Sequence, residues 1–370
     1  KKNIERNYKK KAFNQEHVKK INSDFDKIRF VKQLKYPEIL FTKDSTKVFV
    51  YLDKNNSNTF DGFIGFGNNE ENKIKFNGYL DLNLVNLLKS GETFMLNWKS
   101  DGNDQKTFNA SLELPYIFKS PLGIKGQLNI FKQDSTFQNT KTAIDLGYYF
   151  STNSKLFLGY QSSESNDIQN ANSSLLNDFN NSFVTTNYDF SKTTLRDNYD
   201  ALLFPEKTKI WIKTGFGNRA TLNSTENQFF TEINLKNNFY LNERNSINIK
   251  SQNLFLQSDN YIINELYRFG GVNSIRGFNE NSLQGSFFSS ILTEYRYVVN
   301  QSLYTHSVID YGYYQDKTTN TKGNLYGLGF GIGLLTKNGL FNLLYANGSS
   351  DSQTIKLSNS VIHISLKTNF

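Results

Sequence analysis

Apolar and polar side chains alternate with a period of two along most of the chain, from about Phe60 to its last residue. Successive side chains of a β-strand point to opposite faces, so this alternation is typical of strands with one apolar and one polar face. About sixteen such segments follow one another, and an even number suits a closed antiparallel barrel. Representative segments are TFDGFIGFG, KIKFNGYLDLNL, TAIDLGYYF and QFFTEINLKNNFYL. The pattern predicts an all-β fold with mostly short connections and with longer polar ones near residues 163–181 and 191–200.

The segment that ends the chain shows the alternation most clearly. Ile362, Ile364, Leu366 and Phe370 fall on one face, and polar residues stand between them. A soluble sandwich could alternate similarly, but the number of segments and a strand that ends at the last residue favour a barrel. A barrel also leaves no strand edge unpaired, as lipid requires. We therefore expect residues 54–370 to form an antiparallel transmembrane β-barrel of about sixteen strands, with Phe370 as its C-terminal assembly signal.

Composition is compatible with this fold and excludes several kinds of chemistry. The mean hydropathy of −0.55 is low, as expected when half of each strand faces a polar lumen. The chain has no cysteine, so disulfides, thiol nucleophiles and cysteine-based zinc sites are excluded. His17, His306 and His363 lie far apart in the sequence and predict no metal cluster. No run approaches the roughly 18 apolar residues of a transmembrane helix.

The first 53 positions, residues 1–53, follow a different pattern. Val18, Ile21, Phe25 and Ile28 have helical spacing, and the segments YPEILFT and TKVFVYLD indicate two strands around the turn KDS. We expect a small α+β unit here. Its lysines are interspersed with acids, which indicates a solvated surface and not a nucleic-acid site. No signal-peptide core precedes the helix, so we expect a mature or truncated chain.

One predicted loop carries unusual backbone chemistry. In the stretch FGGVNSIRGFNENSL, Gly270 and Gly271 precede Arg276, while Gly277 and Phe278 follow it. Glycine and asparagine favour turns, so this stretch is a loop although alternating segments lie on both sides of it. A lone arginine among turn-forming residues raises the question of what it contacts.

Two carboxylates on the following strands are candidate partners for Arg276. Alternation in SSILTEYRY puts Glu294 and Arg296 on the inward face, and alternation in HSVIDYGYY places Asp310 inward as well. The next segment, YGLGFGIGLL, has glycines at every second position from 327 to 333, which would leave room for a loop folded inward near 260–284. A guanidinium between carboxylates makes specific, bidentate contacts. We expect Arg276 inside the lumen, paired with Asp310 and near Glu294; an external loop with a solvated arginine is the alternative that spacing leaves open.

These elements together resemble the BamA/TamA superfamily of outer-membrane assembly and translocation barrels. GGVNSIRGF resembles the family's signature loop, V/I-R-G-F/Y, and the segments VIDYG and LTEYRY resemble its aspartate- and glutamate-containing strands. The helix and hairpin resemble the end of a POTRA domain, the periplasmic module joined to such barrels. The four elements occur in family order and cover essentially the whole chain. By motif, Arg276 corresponds to the loop arginine, Asp310 to its strand partner and Glu294 to the second lumen carboxylate.

Two features depart from the family pattern. The strand that opens a POTRA module cannot be found, and the usual series of several modules is absent, so we expect residues upstream of Lys1 to be missing from this chain. The resemblance implies a bacterial outer-membrane location, with contacts to lipids and lipopolysaccharide, and a periplasmic N-terminal part.

The resemblance also implies a function that needs no catalytic residue, metal or other cofactor. The first and last strands of such a barrel open, and a client strand pairs with the exposed edge. The expected partners are client outer-membrane or surface proteins, with accessory periplasmic or lipoprotein subunits. A two-partner-secretion pore for one dedicated partner is the main alternative. An outer-membrane phospholipase is disfavoured because His306 lies roughly 13 Å along the strand from Asp310, and a passive porin because an inward loop would narrow the lumen.

Overall fold

The computed structural model describes residues 8–9, 11–26, 28, 30–55, 57–68, 74–101, 105–168, 175–193, 203–204, 206–337, 339–351 and 360–369. Its N-terminal unit consists of helix α1 (Gln15–Asp26) and an antiparallel hairpin of β1 (Val31–Phe41) and β2 (Thr46–Lys54). The side chain of Asn14 caps α1 by accepting a hydrogen bond from the Glu16 amide at 2.9 Å. Its buried face packs Ile21 and Phe25 against apolar side chains of β2, which are Val48, Val50 and Leu52.

Strand β1 begins earlier than the segment YPEILFT predicts. Register shifts between Gln33 and Lys35 and between Lys35 and Glu38 interrupt its pairing with β2. Pro37 lies inside the second shift, and proline has no amide hydrogen to donate to a neighbouring strand. Because these shifts interrupt the alternation of side chains, the period-two pattern does not reveal the first part of β1. The assignment of this helix and hairpin to a POTRA module stays a prediction.

Sixteen antiparallel strands close into one barrel, so the predicted 16-stranded fold is confirmed. In chain order the strands are β3 (Thr59–Asn68), β4 (Ile74–Val85), β5 (Thr93–Asp101), β6 (Lys106–Leu114), β7 (Leu122–Gln133), β8 (Phe137–Tyr149), β9 (Ser154–Asp167), β10 (Phe179–Thr193), β11 (Glu206–Ala220), β12 (Thr225–Tyr240) and β13 (Asn245–Gln257). Two short strands, β14 (Tyr267–Phe269) and β15 (Leu283–Gly285), pair with each other in a separate two-stranded sheet and are not part of the barrel wall. The wall continues with β16 (Phe287–Val298), β17 (Leu303–Asp316), β18 (Thr321–Thr336), β19 (Gly339–Ser350) and β20 (Ser360–Asn369).

The alternation along each strand separates an apolar outer face from a mainly polar inner face. On β8, Ile144 and Leu146 are exposed on the outside while Asp145 is buried on the inside. On β9, Leu158 is exposed and Gln161 is buried. The outer face suits lipid and the inner face suits a hydrated lumen. None of the described helices has the length and apolar character needed to span a membrane.

The connection predicted near residues 163–181 is shorter than the sequence suggests. Strand β9 continues to Asp167, and β10 begins at Phe179. Ser163 and Ser165 are buried inside the barrel, while Glu164 and Asn166, on the other face of the strand, are exposed and also polar. Period two is invisible where both faces of a strand are polar, so the pattern ends before the strand does. Of the connection predicted at 191–200, residues 191–193 belong to β10 and 194–200 lie outside the described residues.

The barrel closes where its first strand meets its last. Among the described residues, β3 and β20 share three paired positions, Asp61 with Lys367, Phe60 with Thr368 and Thr59 with Asn369. The other neighbouring strands share between eight and fourteen paired positions. We call this β3–β20 contact the seam, and it is the least extensively paired contact in the described barrel wall.

Candidate functional site

The loop formed by residues 258–286 folds into the lumen, where apolar side chains hold it. Ile275 is completely buried against Leu254, Phe288 and Leu325, which line the inner faces of β13, β16 and β18. Phe269 stacks on Phe288 with ring centroids 4.0 Å apart. The loop therefore has a small hydrophobic core of its own, shared with the barrel wall.

Three glycines give this loop its backbone path. Gly270, Gly271 and Gly277 have φ angles of 102°, 100° and 87°, a region that other residues rarely adopt. A Cβ atom on Gly271 would also overlap the carboxylate of Glu280. These positions are glycine because both the torsion angle and the space require it.

The loop backbone lies directly against the backbones of two strands. A Cβ atom on Gly277 would overlap the backbone of β19 at Gly348, and one on Gly348 would lie 2.6 Å from the Gly277 carbonyl oxygen. A Cβ atom on Gly327 of β18 would overlap the Arg276 carbonyl. Phe278, next along the loop, packs against the hydrophobic core around Ile275. This close approach fixes the position of Arg276 along the barrel axis.

The predicted role of the β18 glycine row needs correction. Gly327 makes room for the loop, but the space beside Gly331 and Gly333 is filled by side chains of the neighbouring strand, His306 and Tyr304. Gly329 faces the backbone of β19. The second loop-facing glycine is Gly348, on β19, and sequence reasoning missed it. A single glycine in a strand gives no signal of what approaches it.

Arg276 lies at the centre of the site and is 3% exposed. Its Nε donates to Asp310 Oδ2 at 2.7 Å, and its Nη2 donates to Oδ1 of the same carboxylate. Its backbone amide also donates to Asp310 Oδ2, at 3.1 Å. Nη1 donates to Glu294 Oε1, and Nη2 also reaches the Thr293 carbonyl at 3.4 Å. Bidentate contact of this kind fixes both the position and the orientation of a guanidinium.

Glu294 connects Arg276 to a second arginine. Arg296, two residues further along β16, donates from Nε to Glu294 Oε2 at 2.8 Å, and its Nη1 donates to Asn238 Oδ1 at 3.0 Å. The cluster thus contains two guanidiniums and two carboxylates, all largely buried. Removal of one member of a buried ion pair leaves its partner charge uncompensated and costs about 3–5 kcal/mol.

A second ion pair holds the base of the loop. Arg219, at the end of β11, donates to Glu265 Oε1 at 2.5 Å and to Glu226 Oε2 at 2.8 Å. Gln228 donates to the other Glu265 oxygen at 2.7 Å. Burial raises the pKa of Glu265 above its ordinary value, although Arg219 opposes this rise. Sequence reasoning missed this contact; the inward position of Arg219 by strand alternation was the available signal.

The loop also reaches the wall near the seam. Glu280 forms an ion pair with Lys99 of β5 at 2.8 Å. Arg276 meets β16 and β17, so the loop contacts both the strands that precede the seam and those that follow it. The remaining predicted site residue, Phe370, lies outside the described residues, and its role as an assembly signal stays a prediction.

A closed antiparallel barrel of sixteen strands with an apolar outer face and a mainly polar inner face has the architecture of an outer-membrane β-barrel protein. The chain belongs to the Omp85 superfamily, whose domain profile matches residues 86–357. Members of this superfamily are transporters or assembly factors that handle client outer-membrane or secreted proteins, and their fold implies the bacterial outer membrane.

Several solved structures share this fold. BamA from Haemophilus ducreyi lacking POTRA domains 1–3 matches with a TM-score of 0.58 and 15% identity, over 99% of this chain and 81% of that one. CdiB from Acinetobacter baumannii matches with a TM-score of 0.62 and 12% identity, over 97% and 69%. CdiB from Escherichia coli matches with a TM-score of 0.63 and 11% identity, over 100% and 74%. A comparison with curated protein sequences gives no match.

Proposed function

We propose that this protein inserts client β-barrel proteins into the outer membrane by opening at the seam between β3 and β20. The observation that carries the proposal is the seam itself, which is closed by three paired positions among the described residues. Separating three pairs exposes two strand edges at much lower cost than separating any other described neighbours.

An open seam would offer backbone groups that lipid cannot satisfy. Unpaired N–H and C=O groups cost several kcal/mol each in hydrocarbon, so an edge exposed there strongly favours pairing with another strand. A client strand can supply that pairing by β-augmentation, with backbone hydrogen bonds that do not depend on one client sequence. This mechanism uses no catalytic residue and no cofactor, and we propose that the protein is not an enzyme.

Within this function, the contacts of Arg276 act as a lumen lock. We define the lumen lock as Arg276, Asp310 and Glu294, with Gly270, Gly271, Gly277 and Phe278 shaping the loop. It keeps the loop inside the barrel, and the lumen therefore stays narrow while the seam opens and a client strand pairs with its edge. The helix and hairpin of residues 1–53 are, in this proposal, the end of a periplasmic POTRA module through which clients or accessory subunits approach.

Export of one dedicated partner is the second candidate, since the barrel resembles both BamA and CdiB structures in fold. The two functions differ in how many proteins depend on this barrel. The test is depletion of the full-length protein followed by quantitative proteomics of the outer membrane and the culture medium. Loss of many β-barrel proteins supports assembly. Loss of one secreted protein with unchanged barrel levels contradicts assembly and supports dedicated secretion.

A further inference from the structure

Two residues between β10 and β11, Leu203 and Phe204, lie beside the lumen lock on the side opposite to the loop. Strands alternate in direction, so β10 ends and β11 begins at the end of the barrel where the chain enters at Thr59, and the loop that carries Arg276 starts at the other end. Leu203 and Phe204 are nevertheless 7% and 8% exposed. They form a hydrophobic cluster with Val298 and Tyr304 on the inner faces of β16 and β17.

Phe204 meets the lock through Arg296. The guanidinium carbon of Arg296 lies 4.2 Å from the centroid of the Phe204 ring, a cation–π arrangement. The same ring makes an edge contact with Tyr304, with centroids 4.7 Å apart. The Tyr240 hydroxyl donates to the Phe204 carbonyl at 2.7 Å and fixes the backbone at this point. The guanidinium of Arg296 thus lies over an aromatic ring that is itself held in place.

Arg296 leaves one oxygen of Glu294 available to Arg276. Its Nε and Nη2 both donate to Oε2, and Arg276 takes Oε1. If Arg296 moved, Glu294 could rotate away from Arg276, and water would reach the cluster from that end of the lumen. Ion pairs that are exposed to water and salt are much weaker than buried ones.

We propose that Phe204 is a positioning residue of the lumen lock. It holds Arg296 in place by cation–π contact, and Arg296 in turn holds Glu294 in the orientation that binds Arg276. The loop would then be held from both ends of the barrel, and displacement of Phe204 would weaken the lock although Phe204 does not contact the loop. This inference rests on the proposed lock function of Arg276.

The experiment uses a thiol in the loop of the full chain, which has no cysteine of its own. Ser274 is 7% exposed and its hydroxyl donates to Gln252 at 2.8 Å, so a Ser274→Cys thiol is protected while the loop is in place. The rate of its modification by a small water-soluble maleimide is measured on folded protein in lipid vesicles, at low and high salt. Heat-modifiable migration on gels verifies that each variant is folded.

Phe204→Ala and Phe204→Leu should raise the labelling rate about tenfold, the range expected for a desolvated cation–π contact. The rate should also become salt-dependent. Leucine keeps the apolar packing but has no aromatic ring, so this variant distinguishes loss of the cation–π contact from loss of side-chain volume. Phe204→Tyr should keep the low rate and its salt independence. Phe157→Leu is the matched control, because Phe157 is a buried aromatic that packs instead on Tyr149.

Three results would overturn the proposal, and they are distinguishable. Wild-type labelling in Phe204→Leu would show that filling space is sufficient. Wild-type labelling in every Phe204 variant, with fast labelling in Arg276→Ala, would leave the lock intact but remove Phe204 from it. Wild-type labelling in Arg276→Ala itself would show that the lock does not hold the loop, and both proposals would fail together.

Discussion

Arg276 binds two carboxylates, and these differ in the hydrogen-bond donors that they keep when the arginine side chain is removed. Glu294 keeps its contact with Arg296, whereas the Asp310 carboxylate loses both of its side-chain hydrogen bonds and keeps, among the described residues, only the one from the backbone amide of residue 276. Asp310 lies deep in the wall and is 3% exposed. The Asp310 contact therefore carries most of the cost of breaking the lock.

Arg276→Ala should destabilise the loop by about 3–5 kcal/mol, because it leaves the Asp310 charge buried and unpaired. Asp310→Asn should act in the same direction but more mildly, since its amide oxygen still accepts one hydrogen bond. Arg296→Ala should weaken the loop less than Arg276→Ala. The measurements are protease access to the loop and the abundance of client barrels in the outer membrane.

The double variant of Arg276→Ala and Asp310→Asn provides the control. Both changes disrupt one contact, so their combined effect should be much smaller than the sum of the separate effects. Strictly additive effects would mean that the two residues stabilise the loop independently. Unchanged protease access and client levels in Arg276→Ala would mean that the lumen lock has no role.

The glycines at the loop contact allow a second test at single positions. Gly327→Ala and Gly277→Ala should both push the loop from the wall, and Gly277→Ala adds backbone strain because its φ is positive. We expect faster proteolysis of the loop in both variants. Gly126→Ala on β7 is the matched control, because its Cβ atom would meet nothing within 4 Å. Equal proteolysis of all three would contradict the close contact.

At the scale of elements, the loop is held at its base, its tip and its far side. Arg219 binds the base at Glu265, Asp310 binds the tip at Arg276, and Lys99 binds the far side at Glu280. The last pair is partly exposed, so it contributes at most about 1 kcal/mol. Of these three ion pairs, the two buried arginine contacts therefore contribute most, and they lie on different parts of the wall.

The last strand, β20, carries the prediction about Phe370. Its outer face presents Ile362, Ile364 and Leu366 to lipid, and Phe370 continues that face in the sequence. Deletion of Phe370 should lower the amount of folded protein in the outer membrane but leave transport across the inner membrane unchanged. The heat-modifiable fraction on gels measures folding, and Lys367→Gln on the same strand is the control. An undiminished folded fraction would exclude Phe370 as an assembly signal.

Strand alternation predicts elements well because it depends on neighbours in sequence. It locates the barrel strands, and the inward parity of Glu294 and Asp310 selects the two carboxylates that Arg276 contacts. Alternation could not reveal the partners of Arg219 or Gly348, because those contacts depend on how distant strands are arranged around the barrel. The contact of Phe204 with Arg296 could not be predicted either, because Phe204 lies outside the strands and alternation does not show whether such a residue faces the lumen.

At the scale of the whole molecule, the barrel combines a firmly held loop with a seam of few pairs. Among the described residues, the strands on either side of the seam have eight or more pairs with their other neighbours. Any opening of the described wall should therefore occur at the seam, where each edge belongs to a strand that is extensively paired on its other side. This arrangement suits a protein that must receive a strand without unfolding.

A disulfide across the seam tests this claim most directly. Phe60 and Thr368 are paired across it, and the chain has no other cysteine, so Phe60→Cys with Thr368→Cys should form a single bond that closes the seam. The control joins Phe341→Cys and Leu366→Cys, which pair between β19 and β20. The measurement is insertion of a client barrel by the purified protein in vesicles, before and after reduction. We expect the seam disulfide to abolish insertion until it is reduced, and the control to insert normally throughout. Full insertion with the seam disulfide intact would contradict the account.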